Sequence, residues 1–140
     1  MLNEKVMSPV SLQLSINTAK GVVSATLSYC NSSTEDVFLE KVNGCINGSV
    51  RNNVFRILSE IDKVPYLGLY AKRKDPGPDG FYRLVPGATY TVTVPLSDTY
   101  GFFPGWHAYR VRYVASHPRI DRPGELWELS STDCCFSYAK

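Results

Sequence analysis

The sequence predicts an all-β protein, an immunoglobulin-like antiparallel β-sandwich of about seven to nine strands. Two observations carry that prediction, and a third supports it. Short runs repeatedly alternate apolar and polar residues with a period of two, which puts the apolar set on one face of a strand. Clusters of Gly, Pro, Asn and Ser punctuate those runs. No ten-residue segment shows a 3.6-residue period with caps, so almost no helix is expected.

The elements follow in order. Val10, Leu12, Leu14 and Ile16 alternate with Ser11, Gln13 and Ser15, and after a turn at Lys20-Gly21 the pattern resumes with Val23, Ala25, Leu27 and Tyr29. The two runs read as a hairpin. Asn31 to Glu35 is turn chemistry, Val37-Phe38-Leu39 a short buried strand, and 41–53 a loop between sheets. Strands are expected at Val54 to Leu58 and at Val64 to Tyr70, the latter at an edge or bulge because Pro65 cannot donate to a ladder. The breaker run 75–80 must be an exposed loop. Phe81 to Leu84 leads into a turn at Pro86-Gly87, and Tyr90, Val92, Val94 and Leu96 form another strand. Tyr109, Val111 and Tyr113 alternate with Arg110 and Arg112, giving a long strand with a basic solvent face. A Pro-containing link, 116–125, leads to the last strands at Leu126 to Leu129 and Cys134 to Tyr138.

At 140 residues, the chain suits one domain over 1–140, with 1–8 expected to be a flexible N-terminus. Its 44% hydrophobic and 20% charged residues match a soluble globular composition and argue against intrinsic disorder. A net charge of +2 is small for a protein dominated by nucleic-acid binding, and no apolar run is long enough for a transmembrane helix. Met1 to Pro9 carries Glu4 and Lys5 and has no apolar core of a signal peptide, so a cytoplasmic location is expected. Cys30, Cys45, Cys134 and Cys135 form no CxxC, and the adjacent pair is poorly placed for a staple. Free thiols in a reducing compartment are the expectation.

Candidate chemistry is sparse. His107 and His117 are the two histidines, ten residues apart and outside any HExxH pattern, and both read as structural or solvated. No GxSxG elbow or phosphate-cradling Gly loop is present. The expectation is a protein that is not an enzyme, with no catalytic residues, metal or cofactor. Two loops remain as partner-binding candidates. One carries Tyr70, Lys72, Arg73 and Lys74, a basic run beside aromatics that reads either as a solvated turn or as a protein contact. The other carries Tyr100, Phe102, Phe103 and Trp106 among Gly101, Pro104 and Gly105. Four large aromatics there are either interface anchors or the plug of one end of the sandwich.

The order Val54-Phe55-Arg56-Ile57, Val64-Pro65-Tyr66-Leu67-Gly68, Lys72-Arg73, Leu84-Val85-Pro86-Gly87, Val94 to Tyr100 and Tyr109-Arg110-Val111-Arg112-Tyr113 resembles a known module. It is similar to the propeptide-like β-sandwich region that precedes the catalytic domain in deuterolysin-type metallopeptidases, over roughly residues 9–138. That family's HExxH is missing from this chain. The resemblance therefore implies the sandwich fold and a metallopeptidase as protein partner, not peptidase activity. A free-standing copy looks like a peptidase inhibitor, an immunity-type partner or a folding chaperone. The alternative is a structural or adhesive module that binds protein or carbohydrate, with Trp106 and Trp127 available to stack on sugar rings. Neither nucleic-acid binding nor membrane insertion is expected.

Overall fold

The computed structural model describes residues 9–71, 77–122 and 124–140. Among them nine strands form: β1 (Val10–Asn17), β2 (Ser24–Asn31), β3 (Val37–Glu40), β4 (Phe55–Ser59), β5 (Phe81–Leu84), β6 (Thr89–Pro95), β7 (Trp106–Pro118), β8 (Leu126–Ser130) and β9 (Cys134–Ala139). Among the described residues helix is confined to two single 3-10 turns, Ala19–Gly21 and Pro78–Gly80. No helix among the described residues is long and apolar enough to cross a membrane. The fold is an all-β antiparallel sandwich, as the alternation predicts.

One sheet runs β1-β2-β6. Its hairpin register pairs Leu12 with Tyr29 and Leu14 with Leu27, and the sharp turn is made by Lys20 and Gly21, both at positive φ. Alternation then sorts the faces. Ala25, Leu27, Tyr29, Val92 and Val94 point inward, while Thr26 meets Thr93 at 2.9 Å and Ser28 meets Thr91 at 3.0 Å through hydroxyls on the solvent side.

The second sheet is built on β7. β4 pairs along one edge, and β8 and β9 pair successively along the other. Val114 faces Ser130 and Val111 faces Cys134, so Ser131, Thr132 and Asp133 oppose only Arg112 and Tyr113. That is a one-residue β-bulge. The Ser131 hydroxyl accepts the Tyr113 N–H at 3.0 Å and donates to the Thr132 carbonyl at 2.9 Å, which satisfies backbone groups that the bulge disturbs. β3 and β5 form a separate pair.

Phe55, Ile57, Tyr109, Val111, Tyr113, Leu129 and Tyr138 face the first sheet across a single core. Tyr29 and Tyr113 meet there edge-on, ring centroids 6.2 Å apart.

Two expectations are corrected, and a third gains detail. Val64 to Tyr70 is not a strand. Its one isolated bridge is Tyr66 with Tyr100, because Pro65 lacks an N–H and the segment turns away after Leu67. The expected link 116–125 begins too early, since Ser116, His117 and Pro118 continue β7 and pair with β8. The segment 41–53 is a loop, as expected, and it also packs into the core. Asn43, Cys45 and Ile46 are buried, strapped to the sandwich end by two core tyrosines. Tyr29 donates to the Gly44 carbonyl at 2.8 Å and Tyr113 to the Asn43 carbonyl at 2.5 Å. The N-terminal expectation for 1–8 lies outside the described residues.

Candidate functional site

The segment 65–71 forms a tip at one end of the sandwich. The Leu67 N–H donates to the Thr99 carbonyl at 2.7 Å, the Gly101 N–H to the Pro65 carbonyl at 2.9 Å, and the Ala71 N–H to the Arg51 carbonyl at 3.0 Å. Tyr66 packs on Tyr100 with centroids 5.2 Å apart, and its hydroxyl donates to the Leu69 carbonyl at 2.5 Å. Two glycines permit this packing. A Cβ on Gly68 would come within 2.8 Å of three Tyr66 atoms, and one on Gly101 would sit 3.0 Å from Leu67 Cδ1 and 3.2 Å from Pro65 Cγ.

On this fixed base, large apolar side chains face solvent. Leu67 is 67% exposed, Leu69 89% and Tyr70 65%. Tyr70 rests edge-on against Tyr66, centroids 5.1 Å apart. Tyr70 is thus placed where a partner could reach it. Lys72, Arg73 and Lys74 lie outside the described residues.

The aromatic loop divides. Tyr100 and Phe102 are buried and act as the plug, one of the two roles the sequence left open, which corrects their place among the partner-binding candidates. Tyr100 accepts the Phe55 N–H at 3.0 Å and donates to Asn53 Oδ1 at 2.9 Å. Phe102 sits against Tyr109, Phe136 and Tyr138 at centroid distances of 5.1, 6.2 and 5.5 Å. Burying rings of this size stabilises the fold by about 1.5–3 kcal/mol each, a strong pull against keeping them for a partner. Phe103 is half-buried beside His107, and Trp106 stands 70% exposed at the start of β7. The loop therefore contributes Trp106 to the surface and, in part, Phe103.

The two histidines have opposite electrostatic environments. His107 Nδ1 meets the Glu60 carboxylate and Nε2 lies 2.9 Å from the Pro104 carbonyl. Both partners are acceptors, an arrangement that favours the doubly protonated ring. Its pKa is raised by the Glu60 hydrogen bond first and by the Pro104 carbonyl second, and that of Glu60 is lowered in turn. His117 is fully buried, and desolvation pushes it down to about 4. Burial likewise drives the Cys45 thiol up to about 12, with the Glu40 charge adding to the effect. All four cysteines are free, and Cys135 is exposed.

Among the described residues, no group of three or more His, Cys, Asp and Glu side chains is placed to hold a metal ion. Comparison with known proteins finds neither a matching family model nor a matching curated protein.

Sequence reasoning overlooked Leu67 and Leu69. Their signal was the Pro65 and Gly68 pair inside an otherwise strand-like run, which marks a segment leaving the sheet with its apolar residues outward.

Proposed function

We propose that this protein is a non-catalytic, protein-binding β-sandwich that restrains a peptidase by inserting the Leu67–Tyr70 tip into the partner's cleft. The observation that carries the reading is Leu69, 89% exposed between Leu67 and Tyr70 on a base tied down by Thr99, Tyr100 and Gly101. Exposed apolar clusters of this kind mark interaction surfaces, and a pre-ordered loop loses little entropy on docking. The resemblance to the region preceding deuterolysin-type catalytic domains supplies the partner class. The basic run Lys72-Arg73-Lys74 follows the tip directly in sequence and suits a cleft lined by carboxylates.

The test is inhibition of a deuterolysin-type peptidase on a fluorogenic peptide. Wild-type protein should inhibit, and Leu69→Asp with Tyr70→Ser should weaken inhibition by about tenfold or more with little change in melting temperature. Absence of inhibition by the wild type would overturn the peptidase assignment. A second reading rests on Trp106, 70% exposed, as a platform for a sugar ring. Glycan-array binding abolished by Trp106→Ala would favour it.

A further inference from the structure

The solvent face of the second sheet carries a compact group of positive charges. Alternation along β7 sends Tyr109, Val111 and Tyr113 inward and Arg110 and Arg112 outward, and β4 adds Arg56 directly opposite Arg112. Lys63 joins them along a groove of about 490 Å³ that also includes Asp133. Like charges facing each other across strands destabilise a sheet. Among the described residues the one carboxylate lining the groove is Asp133, and the bulge between β8 and β9 brings it there. It lies 3.7 Å from Arg110 Nε and 3.5 Å from Arg112 Nε, close enough for ion pairing. Neither contact is a hydrogen bond. Among the described residues, guanidinium hydrogen bonds are made by Arg83 and Arg119, and by none of these three arginines. Four cations thus line the groove, and Asp133 pairs with two of them.

We propose that this face is a second contact surface, taking an extended acidic segment of a protein partner with carboxylates at alternate positions. Spacing selects this occupant. Arg110 and Arg112 are two residues apart on one strand, about 6.6–7 Å, and Arg56 lies one strand spacing away, about 4.8 Å. An extended peptide repeats its side chains on one face with the same two-residue period, so acids at alternate positions lie over Arg110 and Arg112 together. Three arginines and one lysine offer few phosphate contacts, and a net charge of +2 adds little attraction for a nucleic-acid strand. Asp133 already holds the place of one such carboxylate.

The surface is independent of the Leu67–Tyr70 tip, and its test separates the two. A labelled peptide with three glutamates at alternate positions is titrated into the full chain by fluorescence anisotropy. A peptide of the same composition with contiguous glutamates, a single-stranded oligonucleotide and inorganic phosphate are compared with it. The alternating peptide should bind in preference to all three. Arg56→Gln with Arg112→Gln should weaken it by about tenfold or more, as expected for paired charge contacts. Asp133→Asn should strengthen it, and Leu69→Asp should leave it unchanged. The double variant should melt close to the wild type, because it relieves a like-charge pair while removing only the exposed Arg112–Asp133 contact. No binding, equal binding of the two peptides, tighter binding of the oligonucleotide or phosphate, or indifference to the arginine substitutions would each overturn the proposal.

Discussion

Tyr113 and His117 stand four residues apart on β7, and the Tyr113 hydroxyl lies 3.0 Å from His117 Nε2 with both side chains out of solvent. The Glu40 N–H donates to His117 Nδ1 at 3.1 Å, so the ring proton sits on Nε2 and is given to Tyr113. Tyr113 in turn donates to the Asn43 carbonyl. Trp127, the cross-strand partner of His117, covers the ring at 4.8 Å and 27°. The chain ties β7 to the end of β3 and to the loop after it, and it works only with a neutral imidazole.

Acid should therefore weaken the fold through His117. Its folded pKa of about 4 lies below the ordinary 6.5, so the unfolded chain takes up the proton first. The stabilisation is complete above about pH 6.5 and is lost as pH falls toward 4, amounting to about 3 kcal/mol at about 1.4 kcal/mol per pKa unit. Urea midpoints measured at neutral pH and near pH 4.5 should diverge for the wild type more than for His117→Asn. Equal divergence would show that His117 is not the group responsible.

Tyr113→Phe should cost about 1–3 kcal/mol, because it strips the Asn43 carbonyl and His117 Nε2 of a partner in a buried site. The same substitution at Tyr138, whose hydroxyl donates to the Gly21 carbonyl at a part-buried position, should cost less. Equilibrium denaturation of the two variants gives the comparison directly.

His107 should titrate on the other side. With its pKa raised by Glu60, the imidazolium adds stability that is present below the unfolded value near 6.5 and is lost as pH rises through the folded pKa. A proton NMR titration should find His107 above 6.5 and His117 well below it. Glu60→Gln should bring His107 back toward 6.5 without moving His117.

The thiols should separate by exposure. In native protein without reductant, Cys135 should react first with a chromogenic thiol reagent, and Cys45 should stay protected until unfolding. All four should react once the chain is denatured. Detection of only two would reveal a disulfide.

The aromatic loop marks where sequence reasoning loses its grip. Tyr100, Phe102, Phe103 and Trp106 look equivalent in a Gly- and Pro-rich stretch, yet two are core and one is fully displayed. Nothing local separates them. Tyr100 is drawn inward by the Phe55 N–H and Asn53, some 45 residues earlier, and Phe102 by β9. The structural role expected of His117 holds, but its place in a strand was hidden for the same reason. Next to Pro118 it resembles a loop residue, and only the pairing of Ser116 to Pro118 with β8 keeps it in a strand and under Trp127.

What the amino-acid order determined alone was most of the strands and the inward face of each, because a period of two is written in neighbouring residues and needs no partner to be read. Val10, Leu12, Ala25, Leu27, Val92, Val94, Val111 and Tyr113 are buried where alternation puts them. Tertiary structure decided register and everything that depends on it. Arg56 faces Arg112, Asp133 reaches both Arg110 and Arg112 through a bulge, and Leu69 stands clear of the core because Tyr66 folds across Gly68. These relationships join residues tens of positions apart. Cross-strand pairing is chosen by the packing of the whole sandwich, and no local pattern encodes it.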